Sequence, residues 1–438
     1  MPGKKVLKMG KGLKYVFTMI AAMSELKYQE LITAKQIREI QERKLRKIVK
    51  YAYQNVAYYR KLFMENGITP LDIRGLSDLK KIPYLTKDDI KTNYGDLLTR
   101  EIEKQGNEIR YLTTTGSTGI PLKITLNTRE YLYSHLLVRY GYLRSGVPLF
   151  GKLAYFQVPA TPSKKAHYYE KADIFRQYKI DLREGPENNI SELNRIKPEA
   201  IYGYPSYLFM VSKVLQDNNI KLLFKPKVVV TLGEILTSQV REFIGSVFMC
   251  PVHDTYGSTE FFRIAFECGH NSLHIIPGSV ILEIDESTVD EEGSSEAVVT
   301  SLYHKTMPFI RYKLGDRIIL SDQKCPCGSK FNTIKKVIGR ADDYLILPSG
   351  KRISARAINI LEDVPGIIEY QIIQREKDNF EVLVKPGHAF TEDSEKDIKN
   401  IIKAGCLGED VAVKITKTNN LARAATGKLR AVTSEVAQ

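Results

Sequence analysis

The stretch Thr113-Thr114-Thr115-Gly116-Ser117-Thr118-Gly119-Ile120-Pro121 alternates hydroxyls with glycines between a strand-like run and a polar stretch. Glycine lets the backbone curl close to an anion, and its neighbours then offer N–H and O–H donors to phosphate oxygens. The spacing GxxxxGK[ST] is absent, so this is not a Walker loop. By itself such a turn is more often plain surface than a phosphate cradle. What surrounds it decides between the two.

Further along come Thr231-Leu232-Gly233-Glu234, a β-run closing on a Gly-acid pair, and Tyr256-Gly257-Ser258-Thr259-Glu260. Arg311-Tyr312-Lys313-Leu314-Gly315-Asp316, Gly339-Arg340-Ala341-Asp342-Asp343 and Arg423-Ala424-Ala425-Thr426-Gly427-Lys428 follow in that order. Each has a structural reading of its own: Lys428 as one more solvated lysine, Glu260 as a surface acid. Their shared order along the chain is hard to assign to chance.

On these motifs the sequence resembles the adenylate-forming (acyl-CoA synthetase-like) superfamily, and within it the phenylacetate–CoA ligase and capsular polysaccharide branch. The likeness covers nearly the whole chain, including Asn55-Val56-Ala57-Tyr58-Tyr59-Arg60, Leu79–Leu85 and Lys87. It implies an α/β fold: a large multi-sheet N-terminal domain and a small mobile α+β C-terminal domain. It also implies roles. Thr114, Thr115, Gly116, Ser117, Thr118 and Gly119 would hold the β- and γ-phosphates of ATP. Gly233 and Glu234 would lie along the adenine, and Tyr256, followed by Gly257, would stack on it. Thr259 would reach the α-phosphate and Glu260 would ligate Mg²⁺. Asp316 would accept from the ribose hydroxyls with Arg340 beside it. Asp342 would be the hinge, and Lys428 would bridge the incoming carboxylate and the α-phosphate.

Elementary electrostatics supports that division of labour. A carboxylate attacking ATP brings two anions together, so a cation at the α-phosphate and a metal on the phosphates supply most of the rate. A lysine is a compact charge on a flexible stem, suited to delivery by a moving domain. The implied reaction is activation of a carboxylic acid to acyl-AMP, then acyl transfer to an acceptor. CoA is the first choice of acceptor; an amine on a sugar or amino acid in polysaccharide biosynthesis is the alternative. A non-catalytic nucleotide-binding scaffold is a further reading, which Glu260, Asp316, Arg340 and Lys428 together oppose. Gly203-Tyr204-Pro205-Ser206-Tyr207 and Phe261-Phe262 either line the acid's pocket, pointing to an aromatic or apolar acid, or are plain core. The pattern also departs from the superfamily. Leu122 follows the loop's proline where many members have lysine, so Lys123 receives no role, and the residues between Asp343 and Gly350 match loosely.

Cys268 and His274 in Phe266–His274, with Cys325-Pro326-Cys327-Gly328 some fifty residues on, would fill a closed tetrahedral zinc site of three thiolates and one imidazole. Some members of the resembled branch have a similar arrangement, and His274 is preferred to His270. Free cysteines in a loop are the other reading. A closed site has no position for substrate, so this zinc would brace structure. Cys250 and Cys406 read as buried small hydrophobes. No G-x-S-x-G elbow occurs, so a hydrolase lacks its nucleophile.

At 438 residues the chain is too long for one ordinary core. With 43% hydrophobic and 26% charged residues it reads as globular. No run of roughly 18 uncharged apolar residues suggests a spanning helix. The nearest apolar run, Tyr15–Met23, is short and lacks a signal-peptide cleavage site. The cysteine pattern points to a reducing compartment, hence the cytoplasm. Of the net +14, residues 1–50 contribute 13 lysines and arginines against 4 glutamates. That segment is expected as a basic helical arm, either solvated or resting on an anionic membrane or acidic partner. No nucleic-acid motif accompanies the charge. A homodimer is compatible with these features, which do not fix the oligomeric state.

Helical spacing is expected over residues 25–66 and Leu126–Arg144, and strands at Leu153–Val158, Ala200–Tyr202, Val228–Leu232, Ser279–Ile284, Glu296–Thr300 and Arg317–Leu320. Near residue 340 the texture changes to strand, helix, strand: Tyr344–Leu347, Ala355–Asp363, Ile367–Gln374, Phe380–Lys385, Glu392–Ala404 and Val411–Ile415. The expected domains are therefore 1–338 and 339–438, with the boundary at Gly339–Asp343.

Overall fold

The computed structural model describes residues 11–102, 109–113, 122–158, 176–340, 344–354, 358, 361, 364–423, 427 and 429–436. Thr114 to Gly119, Asp342 and Lys428 lie outside the described residues, as does most of the helix expected over Ala355–Asp363.

The chain opens with α1 (Lys11–Leu31), α2 (Ala34–Asn55), α3 (Ala57–Glu65) and α4 (Lys87–Thr92), then a hairpin β1 (Ile109–Thr113) and β2 (Lys123–Asn127), then α5 (Thr128–Arg144). Strands β3 (Lys152–Gln157) and β4 (Arg176–Asp181), α6 (Pro186–Ile196), β5 (Ala200–Gly203), α7 (Pro205–Asp217), β6 (Val228–Thr231), α8 (Ser238–Phe248) and β7 (Val252–His253) form an α/β layer. Its five strands are all parallel in the order β4-β3-β5-β6-β7. β5 reads Ala-Ile-Tyr-Gly and β6 Val-Val-Val-Thr, and every residue of both is buried. Unbroken apolar runs of this kind are expected of parallel strands covered by helices on both faces.

A second sheet follows: β8 (Thr255–Tyr256), β9 (Ala265–Glu267), β10 (Leu273–Ile275), β11 (Val280–Ile284), β12 (Ser295–Ser301), β13 (Tyr312–Ser321) and β14 (Thr333–Arg340). These seven strands pair antiparallel in the order β11-β12-β13-β14-β10-β9-β8. The C-terminal unit holds a hairpin β15 (Tyr344–Ile346) and β16 (Arg352–Ser354), then β17 (Ile367–Glu376), β18 (Asn379–Pro386), α9 (Glu392–Gly405), β19 (Ala412–Lys417) and β20 (Val432–Ser434). Its main sheet runs β19-β18-β17-β20 over a core of its own that includes Ile372, Val382, Ile398 and Ile402.

Two expectations are corrected. The basic N-terminal segment is not an arm along the part whose side chains are described. Leu26 of α1 and Ile37 of α2 are buried with Leu137 and Tyr140 of α5 and Phe266 of β9. Glu30 accepts from the Tyr140 hydroxyl at 2.6 Å and pairs with Arg144 at 3.3 Å. The charge count misled because the basic residues of α2 ride the solvent face of a helix whose other face is core. The last strand of the large domain's sheet ends at Arg340, inside the expected boundary of Gly339–Asp343. Gly339 and Arg340 pair with Arg317 and Asp316 as the last residues of β14, so both belong to the large domain's sheet. Cys250, expected to be buried, is only half-buried, while Cys406 is fully so. Burial pushes both thiols up to about 11.

The small unit rests on the parallel-sheet layer, where β17 packs on α7 and Ile368 joins the core formed by that layer.

Candidate active site

In parallel α/β sheets ligands bind outside the carboxyl ends of the strands. Here those ends run into Gly203-Tyr204 after β5 and Gly233-Glu234 after β6. The hydroxyl of Thr231, at the end of β6, donates to Asp254 at 2.7 Å, and the Thr255 hydroxyl donates back to the Thr231 carbonyl at 2.5 Å. The parallel sheet is thereby clamped to the start of the Tyr256–Glu260 segment.

That segment is sharply folded. A side chain at Gly257 would place its Cβ 2.1 Å from the Phe262 carbonyl oxygen, so only glycine fits there. Phe262 itself has φ +56°. Thr259 is exposed and Glu260 buried. Glu260 Oε1 accepts from the Tyr312 hydroxyl at 3.1 Å. The Tyr256 hydroxyl donates to Asp316 Oδ2 at 2.8 Å, and Arg340 Nη1 donates to Asp316 Oδ1 at 3.2 Å. Burial, reinforced by Asp316, holds the Tyr256 phenol far above its usual range, and burial reinforced by Glu260 does the same for Tyr312. Both phenols therefore stay protonated and act as donors. Asp316 and Arg340 face each other directly in the β13–β14 register.

The residues flanking Lys428 are held at the same place. The Leu429 amide donates to Glu234 Oε1 at 2.9 Å, while Glu234 Oε2 accepts from the Ser206 amide at 3.0 Å. Gly427 has φ +87°, and a Cβ there would come within 2.5 Å of Leu182 Cδ1. Arg423 donates to the Gly427 carbonyl at 2.8 Å and pairs with Glu369. Glu234, expected along the adenine, thus links the two domains. A path of hydrogen bonds and short chain runs leads from Leu429 through Glu234, Thr231 and Thr255 to Tyr256, Asp316 and Arg340.

The sequence reading gave no role to Tyr312, although it lies inside a quoted motif. Nor could it foresee that Ser206 and Leu429 share one carboxylate, because backbone amides leave no mark in a sequence. Arg311, in the same motif as Tyr312, is structural: it caps the Ile82 carbonyl at 2.7 Å and lies near Glu283.

A second cluster, of three loop cysteines and His274 of β10, lies at the other end of the antiparallel sheet. The ligand atoms of Cys268, His274, Cys325 and Cys327 all fall within 4.8 Å of one another. Cys268 Sγ and Cys325 Sγ are 3.6 Å apart, and Cys327 Sγ lies 3.4 Å from His274 Nε2. The cysteines are free. The His270 amide donates to Cys268 Sγ at 3.4 Å, while its side chain is exposed. His274 is buried and stacks on Phe266.

Solved structures place this architecture. A 2-hydroxyisobutyryl-CoA ligase in its postadenylation state superposes with a TM-score of 0.74 at 18% identity, covering 93% of this chain and 91% of the other. The chain has the fold of the adenylate-forming ligases. A structure of 2-hydroxyisobutyryl-CoA ligase in the thioesterification state, with CoA, gives a TM-score of 0.61 at the same coverage. The chain also has homologues by sequence. It is 26% identical over 382 residues to protein CapK of Staphylococcus aureus, across 83% of this chain and 80% of the relative. It is 23% identical over 391 residues to a phenylacetate-coenzyme A ligase of Thermus thermophilus, across 82% and 84%. Residues 345–435 match the family described as the CapK C-terminal domain.

Proposed function

We propose that this protein condenses a carboxylic acid with ATP to give acyl-AMP and pyrophosphate, then transfers the acyl group to the thiol of CoA. The observation that supports this best is the Glu234 carboxylate, which ties the residue after Lys428 to the end of β6. Through Thr231 and Thr255 that strand end is joined to the motif holding Tyr256 and Glu260. Gly427 and Leu429, the described neighbours of Lys428, are thereby held beside the strand end that leads on to Tyr256 and Asp316.

In the first step a carboxylate oxygen attacks the α-phosphorus and the bond to the β-phosphate oxygen breaks, releasing pyrophosphate. Lys428 neutralises the approaching carboxylate and the charge that grows on the phosphoryl oxygens. Thr259, exposed beside Glu260, donates to the α-phosphate, and Thr114 to Gly119 hold the leaving phosphates. Asp316 accepts from the ribose hydroxyls and is kept in orientation by Arg340 and Tyr256. Glu260 is the residue to hold Mg²⁺: a hard carboxylate oxygen, fixed by one phenol and with acceptor capacity left over, suits that ion. Bound there, the ion would neutralise phosphate charge. In the second step the CoA thiolate attacks the acyl carbon, AMP departs with the bonding electrons, and the thiol proton passes to solvent. Rotation about Asp342 would withdraw Lys428 and admit the thiol. The names of the phenylacetate-coenzyme A ligase relatives support CoA as acceptor.

The four-residue cluster fits structural zinc. Zn–S near 2.3 Å and Zn–N near 2.0–2.1 Å at a tetrahedral angle imply ligand–ligand edges of about 3.5–3.8 Å. Two of the edges, at 3.6 and 3.4 Å, lie close to that range, and all four ligand atoms fall within 4.8 Å of one another.

The test is ATP–pyrophosphate exchange against a panel of carboxylic acids. Acid-dependent exchange is expected. Exchange with none of them by the purified protein would overturn the reading.

A further inference from the structure

Arg263 lies three residues beyond Glu260 and is 2% exposed. It follows Phe262, whose positive φ is a strained conformation for a bulky residue and fixes where the next side chain goes. The guanidinium reaches across to β5, where Nη2 donates to the Tyr202 hydroxyl at 2.9 Å and the group faces the Tyr202 ring at 5.9 Å. Its Nε is buried with no acceptor, and no carboxylate of the described residues pairs with it. Two other buried arginines of the large domain pair with carboxylates, Arg317 with Asp290 at 2.7 Å and Arg311 with Glu283 at 3.6 Å, while Arg139 donates to the His135 carbonyl at 2.9 Å.

A guanidinium cannot shed its proton to escape burial. Burying it without an anion is costly, and a phenol and a ring face offset that only in part. Around it are more phenols. Tyr142 and Tyr155 both pack on Tyr202 with ring centroids 5.0 Å apart. Tyr155 and Tyr202 are register neighbours near the carboxyl ends of β3 and β5, the side of the sheet where a substrate enters. A cation with no carboxylate partner among the described residues and three phenols make a donor-rich cluster near the activating motif, where an apolar acid would leave the arginine unanswered.

We infer that Arg263 is a specificity-determining residue that receives a second anionic group of the acid substrate, so that the preferred substrates are dicarboxylic acids activated at one end. This rests on the adenylation reading and replaces the aromatic or apolar acid expected from Phe261-Phe262 by a doubly charged one. The test measures pyrophosphate-exchange kcat/KM for matched pairs: butyrate against succinate and glutarate, benzoate against isophthalate and terephthalate. In the unaltered protein at least one dicarboxylate is expected to exceed its monoacid at least tenfold. Arg263→Met should bring that ratio to about one or below, mainly through KM, with exchange on the monoacid retained, and Arg263→Lys should restore part of it. Equal or better use of the monoacids by the unaltered protein would overturn the inference and leave adenylation standing, whether or not the Met variant folds. An unchanged ratio in a folded Met variant would do the same, as would a uniform loss over both acids. Exchange with neither class would overturn both readings.

Discussion

Strands β13 and β14 carry two sites at their opposite ends, and the two are built differently. At one end Asp316 and Arg340 face each other, and Tyr256 and Tyr312 donate to Asp316 and Glu260. At the other end the loop between the strands delivers Cys325 and Cys327 to Cys268 and His274. Asp316 and Ser321 are five residues apart along β13, or roughly 17 Å at the usual strand rise. The first end pairs each charged group with one or two donors and leaves acceptor capacity for a ligand. The second closes four ligands on one another. An open constellation has groups to offer a substrate; a closed one can only hold its own loops together.

The largest effect expected from breaking this contrast is at the open end. Lys428→Ala should lower adenylation by about a hundredfold or more, the scale of losing a charge-stabilising donor. Thioester formation from pre-formed acyl-AMP should be largely kept, and the melting midpoint unchanged. Equal loss in both half-reactions, measured separately, would remove the lysine from its role. At the closed end the pattern inverts. Cys268→Ser should abolish stoichiometric zinc and lower the melting midpoint by roughly 5–10 °C, while the folded fraction still exchanges pyrophosphate. Metal analysis of protein purified without chelators should find one zinc per chain, and a metal-free preparation of the same stability would refute the site. Asp316→Asn should raise KM for ATP about tenfold, since a charge-assisted acceptor becomes a neutral one. An unchanged ATP saturation curve would break that link. The smallest effect is expected from Tyr256→Phe. The ring stays and one hydrogen bond of about 1 kcal/mol is lost, giving roughly a three- to fivefold change in ATP saturation.

Much of the open end was legible in the sequence, because its side chains come from short strings of neighbouring residues. Tyr256 to Glu260 and Arg311 to Asp316 could be found as strings. At the closed end the four residues named from the sequence, Cys268, His274, Cys325 and Cys327, are the four that the fold brings together, although only the Cys325–Cys327 spacing is local in the chain. The basic start of the chain was misread because a charge count does not distinguish a free helix from one packed on its apolar side. Leu26, Ile37 and Leu45 carried that signal in their spacing, and the lysines obscured it. The domain boundary was placed at Gly339–Asp343 because texture shifts there. Strand pairing, which texture does not record, extends the large domain through Arg340.

By itself the sequence determined the α/β class, the order of the motifs and the residue types able to meet phosphate, ribose and metal, since those depend on side-chain chemistry and local backbone freedom. Only the tertiary structure decided that Glu234 joins the two domains through the Ser206 and Leu429 amides, and that Arg263 is buried with no carboxylate of the described residues paired to it. Burial and partnership are set by contacts between segments far apart in the chain, and a linear string of residues holds no record of which of them become neighbours.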